Sequence, residues 1–403
     1  MTTATASIPL HVPPELVFDF DFWVLPDEFD DPFDLWASLE KRGAPEIFYT
    51  PANGGHWVFR RFSDIYDIYR DWESFGTYPM GVPARGGGAK KLIPAEIDPP
   101  MHQTYRRVLV PLFAPAAMQT RGERIRHLAA TLIEELRPSG HCDFSAAFAL
   151  KLPTTIFLEI CGLPLAMLGD FLVWQHDYFH GKTPEIRERG ANRIAEYLTT
   201  FIEQRSKEPP DGSLIGLMLA AALKDEETWS KQVIVDASIT LLGAGLDTVA
   251  STLCLIWRYL AEQPRARRYI RENLDKINGI AEELLRRMAP AMLSRRVRTD
   301  MVFRGVTLKK GDVILLSSNL ANRDATVFED AEAVKFERQL KPNLTFGAGP
   351  HRCIGAHLAK TEIIIALEEW LRRIPDFAIE PGATIRGVAG EVMGVENLPL
   401  VWK

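Results

Sequence analysis

A long apolar stretch from Val233 to Leu260 predicts one extended helix, and Leu358 to Leu371 repeats its apolar residues at helical spacing. From 101 to 288 almost every segment carries the helical period, broken at Pro138-Ser139-Gly140 and at Pro209-Pro210-Asp211-Gly212. Residues 33–43 predict a shorter helix. Residues 44–62 alternate apolar and polar around Asn53-Gly54-Gly55, which predicts a hairpin. Short strands are expected over 293–317, and strands with turns over 375–402. The Gly- and Pro-rich segment 76–93 predicts a mobile loop. There are no internal repeats and no long low-complexity tract. The expected fold class is mainly α with a small β region.

The chemistry concentrates at Cys353, in Phe346-Gly347-Ala348-Gly349-Pro350-His351-Arg352-Cys353-Ile354-Gly355, just ahead of the second apolar helix. Taken alone, a lone cysteine reads as a small core residue. This one has no Cys or His partner at metal-cage spacing and is flanked by glycines and an arginine, which suits a single axial thiolate for a haem iron. The glycines let backbone approach a flat macrocycle. Loop N–H groups and the positive end of the following helix favour the thiolate.

The segment resembles the haem-binding loop of the cytochrome P-450 family, Phe-x-x-Gly-x-x-x-Cys-x-Gly with a basic residue before the cysteine. Two further motifs lie upstream of it, in the order the family has them. Glu283 and Arg286, three apart on a helix, read by themselves as a surface ion pair. The resemblance implies instead a buried structural triad with Arg338 of Phe336-Glu337-Arg338. Ala244-Gly245-Leu246-Asp247-Thr248 interrupts the apolar stretch with residues a helix core rarely uses. That is either a kink with a satisfied threonine or a widened turn that admits a small ligand and water. By resemblance it is the oxygen-binding groove, with Asp247 and Thr248 the acid–alcohol pair that delivers protons for O–O cleavage.

The likeness extends to Asp98-Pro99-Pro100-Met101-His102 and Arg106, where the prolines open a helix and place His102 and Arg106 on one face. That face reads as solvated surface without the resemblance and as propionate contacts with it; Arg295 and His351 match further propionate partners. Phe346, Gly347 and Gly355 belong to the cofactor-binding loop. Within the family the C-terminal third is similar to the bacterial camphor-hydroxylase group, in Glu282-Glu283-Leu284-Leu285-Arg286-Arg287, Leu308-Lys309-Lys310-Gly311-Asp312, Arg373-Ile374-Pro375-Asp376-Phe377 and Leu398-Pro399-Leu400-Val401-Trp402. Departures from that group bear on the substrate. The tyrosine that bonds the ketone there falls at Lys90 here, an aromatic pocket residue falls at Gly81, and a propionate-side aspartate falls at Leu293. A pocket that leaves a buried ketone unpaired discriminates against camphor. Thr240, Gly243, Ala244, Ala291, Leu293 and Val392 are the remaining candidate wall residues, each of which also reads as ordinary core.

The motifs for one site run from 98 to 355, so the 403 residues are expected to form a single catalytic domain, 1–403. A net charge of −6 lacks the basic signature of nucleic-acid binding. Four cysteines without a pairing pattern suit a reducing cytoplasm, and Cys142, Cys161 and Cys254 read as core residues. Met1 to Phe22 shows no basic n-region and no apolar span, so neither a signal peptide nor a membrane anchor is expected.

The resemblance implies haem b (iron protoporphyrin IX), dioxygen, and electrons from NAD(P)H through a reductase and a [2Fe-2S] ferredoxin docking near Arg352 and Arg106 or Arg107. The expected protein is a monomeric cytoplasmic monooxygenase acting on a small apolar terpenoid or ionone-like norisoprenoid. A camphor or other monoterpene hydroxylase, a peroxide-driven peroxygenase and a non-enzymatic haem sensor are the alternatives.

Overall fold

The computed structural model describes residues 6–85 and 90–403. Its α-helices are α1 (Pro32–Lys41), α2 (Phe62–Arg70), α3 (Met101–Phe113), α4 (Pro115–Leu136), α5 (Lys151–Cys161), α6 (Leu168–His180), α7 (Pro184–Arg205), α8 (Leu214–Ala222), α9 (Lys231–Glu262), α10 (Pro264–Glu272), α11 (Ile277–Arg287), α12 (Ser318–Asn322) and α13 (Ala356–Arg373). The strands are β1 (Ile47–Thr50), β2 (His56–Phe59), β3 (Phe75–Gly76), β4 (His141–Asp143), β5 (Met292–Val297), β6 (Met301–Phe303), β7 (Val306–Leu308), β8 (Val313–Ser317), β9 (Phe377–Ile379), β10 (Gly387–Val388), β11 (Gly394–Val395) and β12 (Pro399–Trp402).

The apolar stretch becomes α9, started by the Ser230 hydroxyl accepting from Val233 N at 3.3 Å. Most of its residues are buried, with α5, α7, α8 and β11 packed around it. Among the described residues it is the one helix long and apolar enough to cross a membrane, and it lies in the protein core. Aromatic rings tie it to α13. Phe144 stacks on Trp257 at 4.8 Å, and Trp257 meets Trp370 edge-on at 5.9 Å. Two helices that carry different parts of the site are thereby held in fixed relation.

The β1–β2 hairpin pairs Ile47 with Phe59 through Thr50 with His56. Its turn places Asn53, Gly54 and Gly55 at positive φ. It belongs to a five-stranded sheet of order β1-β2-β8-β5-β3, where β2 and β8 run parallel and the other pairs antiparallel. Trp57, Phe59, Phe75, Ile314 and Leu316 fill a second, smaller core beneath this sheet. The three-stranded sheet β4-β12-β9 joins the middle of the chain to its end, pairing Leu400 with Cys142. Strand β4 falls inside the segment expected to be almost wholly helical. Its Cys142 is half-buried on that edge strand rather than a core residue, whereas Cys161 and Cys254 are buried.

Candidate active site

The cysteine loop is shaped before α13 begins. Cys353 N donates to Phe346 O at 2.9 Å, Gly347 N to Leu344 O at 3.0 Å, and Arg352 N to Gly349 O at 3.1 Å. Gly349 has φ +68°, and a Cβ there would lie 2.5 Å from the Tyr69 carbonyl oxygen. Its glycine is therefore required by the backbone at the end of α2. At Gly355 a Cβ would sit 3.9 Å from Cys353 Sγ. Cys353 is crowded by protein on nearly every side, yet solvent reaches it, so it lines an internal cleft rather than the outer surface. Burial pushes its thiol up; the Gly355 N–H and the Arg106 and Arg352 guanidiniums pull it the other way.

On α9, Ala244 is exposed in the midst of a buried helix, marking a second opening into the interior. The helix runs without interruption through 243–248, so the expected widened turn does not break it. Thr248 Oγ1 donates to Ala244 O at 2.9 Å. Asp247 is buried, and His180 Nε2 at the end of α6 lies 2.9 Å from its Oδ1. Gly245 gives room to α5, since a Cβ there would meet the Phe157 ring at 3.1 Å. A Cβ at Gly243 would lie 3.4 Å from Phe179 of α6.

Beside the cysteine loop lies a cluster of two histidines, two arginines and a carboxylate. The rings of His102 and His351 stack obliquely with centroids 4.2 Å apart. His351 Nε2 meets Asp98 Oδ1 at 2.9 Å, and Asp98 also accepts from Thr77 N and Thr77 Oγ1, each at 3.1 Å, and pairs with Arg298. Arg106 donates to the Arg352 carbonyl at 2.8 Å. Arg295 is buried, donates through Nη1 to Ser294 O at 2.8 Å, and leaves Nη2 without a partner. Burial and the neighbouring His351 and Arg106 hold the His102 ring down at about 3. Asp98 thus bonds His351 and Arg298 directly and acts on Arg295 and His102 through its charge, while Arg106 is held on the Arg352 carbonyl. A buried guanidinium nitrogen with no acceptor is costly, and a bound anion would satisfy it.

Glu283, Arg286 and Arg338 meet in one buried network. Arg286 holds Glu283 with two hydrogen bonds of 2.8 and 2.9 Å, and Arg338 Nε reaches both Glu283 oxygens at 3.1 Å. Lys335 N adds a fourth donor at 2.8 Å. Arg286 Nη1 also donates to Asn322 O at 2.7 Å. The Asn322 side chain accepts from Leu344 N at 2.7 Å and donates to Thr345 Oγ1 at 2.9 Å. The ion pair is therefore wired to the start of the cysteine loop.

The candidate pocket residues divide. Ala291 and Val392 form a bridge, flanked by Met292 N to Glu391 O at 2.8 Å and Met393 N to Pro290 O at 3.0 Å. Leu293 pairs with Leu316 and is half-buried. Thr240 Oγ1 bonds Asp236 O at 2.8 Å within its helix. Lys90 does not join them: it is exposed on the surface, and its carbonyl is held by Arg85 Nη1 at 3.0 Å. A long charged side chain stays in water unless it is paired. Gly81 has φ +100°, so its turn requires glycine whatever the pocket volume.

The expected mobile loop is clasped where it is described; its residues 86–89 lie outside the described residues. Buried Glu96 accepts from Met80 N at 2.6 Å and Leu92 N at 2.7 Å and pairs with Arg85. Gly81 N donates to Ser294 Oγ at 2.9 Å, and Arg296 donates to the carbonyls of Pro79 and Gly81. Asp98, His180 and Glu96 were not among the predicted site residues. An Asp-Pro-Pro helix opener hints at the first; no local pattern marks the other two.

A family model described as cytochrome P450 matches residues 158–284 and 278–381. A probable cytochrome P450 127A1 of Sinorhizobium fredii is 32% identical over 407 residues, covering 99% of this chain and 97% of that protein. The mycinamicin IV hydroxylase/epoxidase of Micromonospora griseorubida is 31% identical over 361 residues, covering 86% of this chain and 89% of its own. Among solved structures, CYP101J2 superposes with a TM-score of 0.89 at 32% identity, covering 99% of this chain and 100% of that one. CYP101C1 gives 0.89 at 33%, covering 98% and 100%. These two carry the likeness to the bacterial camphor-hydroxylase-like group.

Proposed function

The chain belongs to the cytochrome P450 family of haem-binding monooxygenases, and from that premise we propose that it hydroxylates a small apolar terpenoid or ionone-like norisoprenoid, with electrons from NAD(P)H through a reductase and a [2Fe-2S] ferredoxin. We read residues 1–403 as one catalytic unit, monomeric and cytoplasmic. The observation that carries the reading is Cys353, a thiol on an internal cleft near the cluster that holds buried Arg295, whose Nη2 lacks an acceptor.

The residues present fit haem b. Cys353 offers one soft ligand, and among the described residues no trio of His, Cys, Asp or Glu is grouped to hold a bare metal ion instead. Arg295 Nη2 lacks an acceptor that a propionate would supply, and His102, Arg106 and His351 stand beside it. The haem, when bound, would supply the activation of dioxygen for insertion into a C–H bond.

The protein's own groups do the rest. The Gly355 N–H and the Arg106 and Arg352 charges favour the thiolate of Cys353. The Thr248 hydroxyl, anchored on Ala244 O, holds water at the exposed notch of α9, and Asp247 behind it moves protons. Exposed Arg107 and Arg352 lie on elements next to the cysteine and would steer an acidic ferredoxin. Leu293, Ala291 and Val392 supply apolar wall, and the exposed Lys90 offers no hydroxyl where the ketone-bonding tyrosine of the camphor-hydroxylase group falls.

Titrating the ferric protein with camphor, cineole, ionones and linear terpenoids, followed by the haem absorption, tests the substrate. A large low-to-high-spin shift is expected with ionones and a small one with camphor. A camphor shift equal to that of the ionones sinks the norisoprenoid reading.

In turnover driven through reductase and [2Fe-2S] ferredoxin, Thr248→Ala is expected to lower product formed per NAD(P)H about tenfold, with peroxide released in its place. Unchanged coupling in that variant, with efficient peroxide-driven turnover, would favour a peroxygenase.

A further inference from the structure

The buried acid of α9 is held by a side chain that can itself change charge at physiological pH. His180 closes α6, and its Nε2 lies 2.9 Å from Asp247 Oδ1. The two ends of this pair differ in access to water: the Asp247 side chain is 8% exposed and the His180 side chain 36%. His180 is thus the step between solvent and a carboxylate that water barely reaches. A permanent cation in that place would only pin the carboxylate. A histidine can pin it and also pass a proton.

We propose that His180 is the positioning residue and proton carrier for Asp247, so that proton delivery to the oxygen side of α9 depends on the charge of this imidazole. This rests on the reading of Asp247 given above. While charged, His180 donates through Nε2 and fixes the carboxylate. It then gives that proton to Oδ1, leaving a neutral imidazole and a carboxylic acid. The acid passes the proton toward Thr248 and becomes a carboxylate again. The neutral ring keeps its Nδ1 proton, so it turns to bring the vacated Nε2 to solvent, takes a proton there and swings back, and one proton enters and one leaves in each cycle.

The surroundings favour the charged ring at the start of this cycle. Burial lowers its pKa, but the hydrogen bond to Asp247, that carboxylate's charge and Glu396 beyond it hold it above the ordinary histidine value, against Arg187. The C-terminal end of α6 adds its negative dipole. On its own helix the exposed ring of His176 lies one turn back, with centroids 5.7 Å apart.

The sign follows. A base whose conjugate acid drives delivery works while protonated, so product formation should fall as pH rises through the His180 pKa. Above that point the wild-type rate is expected to fall toward tenfold per pH unit. His180→Gln keeps a hydrogen-bond donor but carries no proton. Its rate should be about tenfold lower near neutral pH, with no descending limb over the same range. His180→Arg keeps the charge and should also be flat.

The profiles are measured as product formed by the haem-loaded enzyme at saturating ferredoxin. Profiles of wild type, His180→Gln and His180→Arg that superimpose would overturn the proposal. A second readout needs no turnover: the His180 imidazole is titrated by NMR in the diamagnetic ferrous carbon monoxide complex, its signal assigned by its loss in His180→Gln. Its pKa is expected above about 6.5 and should drop in Asp247→Asn. A pKa that is the same in both proteins overturns the coupling. Absence of oxygen-dependent turnover with any substrate would sink the monooxygenase reading, and the NMR titration would still decide whether His180 and Asp247 titrate as a pair.

Discussion

Cys353→Ser is expected to leave a folded protein that loses the thiolate signature of its ferrous carbon monoxide complex and at least about 1,000-fold in turnover, roughly 4 kcal/mol in barrier. The reason lies in one atom. A serine hydroxyl ionises far less readily than a thiol and donates little electron density to iron, whereas thiolate donation favours O–O cleavage. The loop itself should survive, because its shape comes from backbone bonds such as Cys353 N to Phe346 O at 2.9 Å and from the positive φ of Gly347 and Gly349. Circular dichroism checks the fold, and the absorption spectrum checks the ligand. Wild-type turnover in Cys353→Ser would remove the cysteine from the mechanism.

Arg286→Met is expected to cost about 3–5 kcal/mol of stability, because it takes the closest of its two arginines from buried Glu283 and a donor from the Asn322, Ala331 and Ala333 carbonyls. Both side chains are almost fully buried, at 2% and 3% exposure, so solvent screens the pair little. Against a usual total of about 5–15 kcal/mol, that loss threatens folding itself. Asn322 passes the damage to Leu344 and Thr345, so the cysteine loop should loosen with the network. Chemical denaturation of the haem-loaded variant measures the loss. Destabilisation below about 1 kcal/mol would show that the network does not brace the fold.

The same carboxylate predicts a direction with pH. Burial raises the Glu283 pKa, but Arg286, the Lys335 N–H and Arg338 outweigh it and hold it below the ordinary carboxylate range. A depressed acid contributes stability that is present above its unfolded value, about 4.3, and lost as pH falls through the folded value. Glu283→Gln should lack that part of the acid dependence.

Some of this was legible along the chain because it is local. Apolar spacing marks α9 and α13, alternation and Asn53-Gly54-Gly55 mark the β1–β2 hairpin, and glycines beside a lone cysteine mark the loop at 353. Each signal is written in residues a few positions apart, where backbone geometry alone relates them. The Glu283–Arg286 pair is local too, and what tertiary packing added was its burial and its link to the cysteine loop.

Other features were decided by the tertiary structure. Nothing near residue 142 announces a strand, because β4 exists by pairing with β12 at the far end of the chain, Leu400 against Cys142. His180 and Asp247 are 67 positions apart, and His351 and Asp98 are 253 apart. The described part of the Gly- and Pro-rich loop is bonded to Glu96, Ser294 and Arg296, partners that no local pattern marks, and Lys90 faces water instead of the pocket. Gly349 needs to be glycine because the carbonyl of Tyr69 lies against it. The sequence by itself determined the long helices, the first hairpin and which residue types carry the chemistry, since those follow from short-range sterics and periodicity. Which charged groups face one another across the core depended on how helices far apart in the chain pack. Burial then turns those contacts into shifted protonation and fixed geometry.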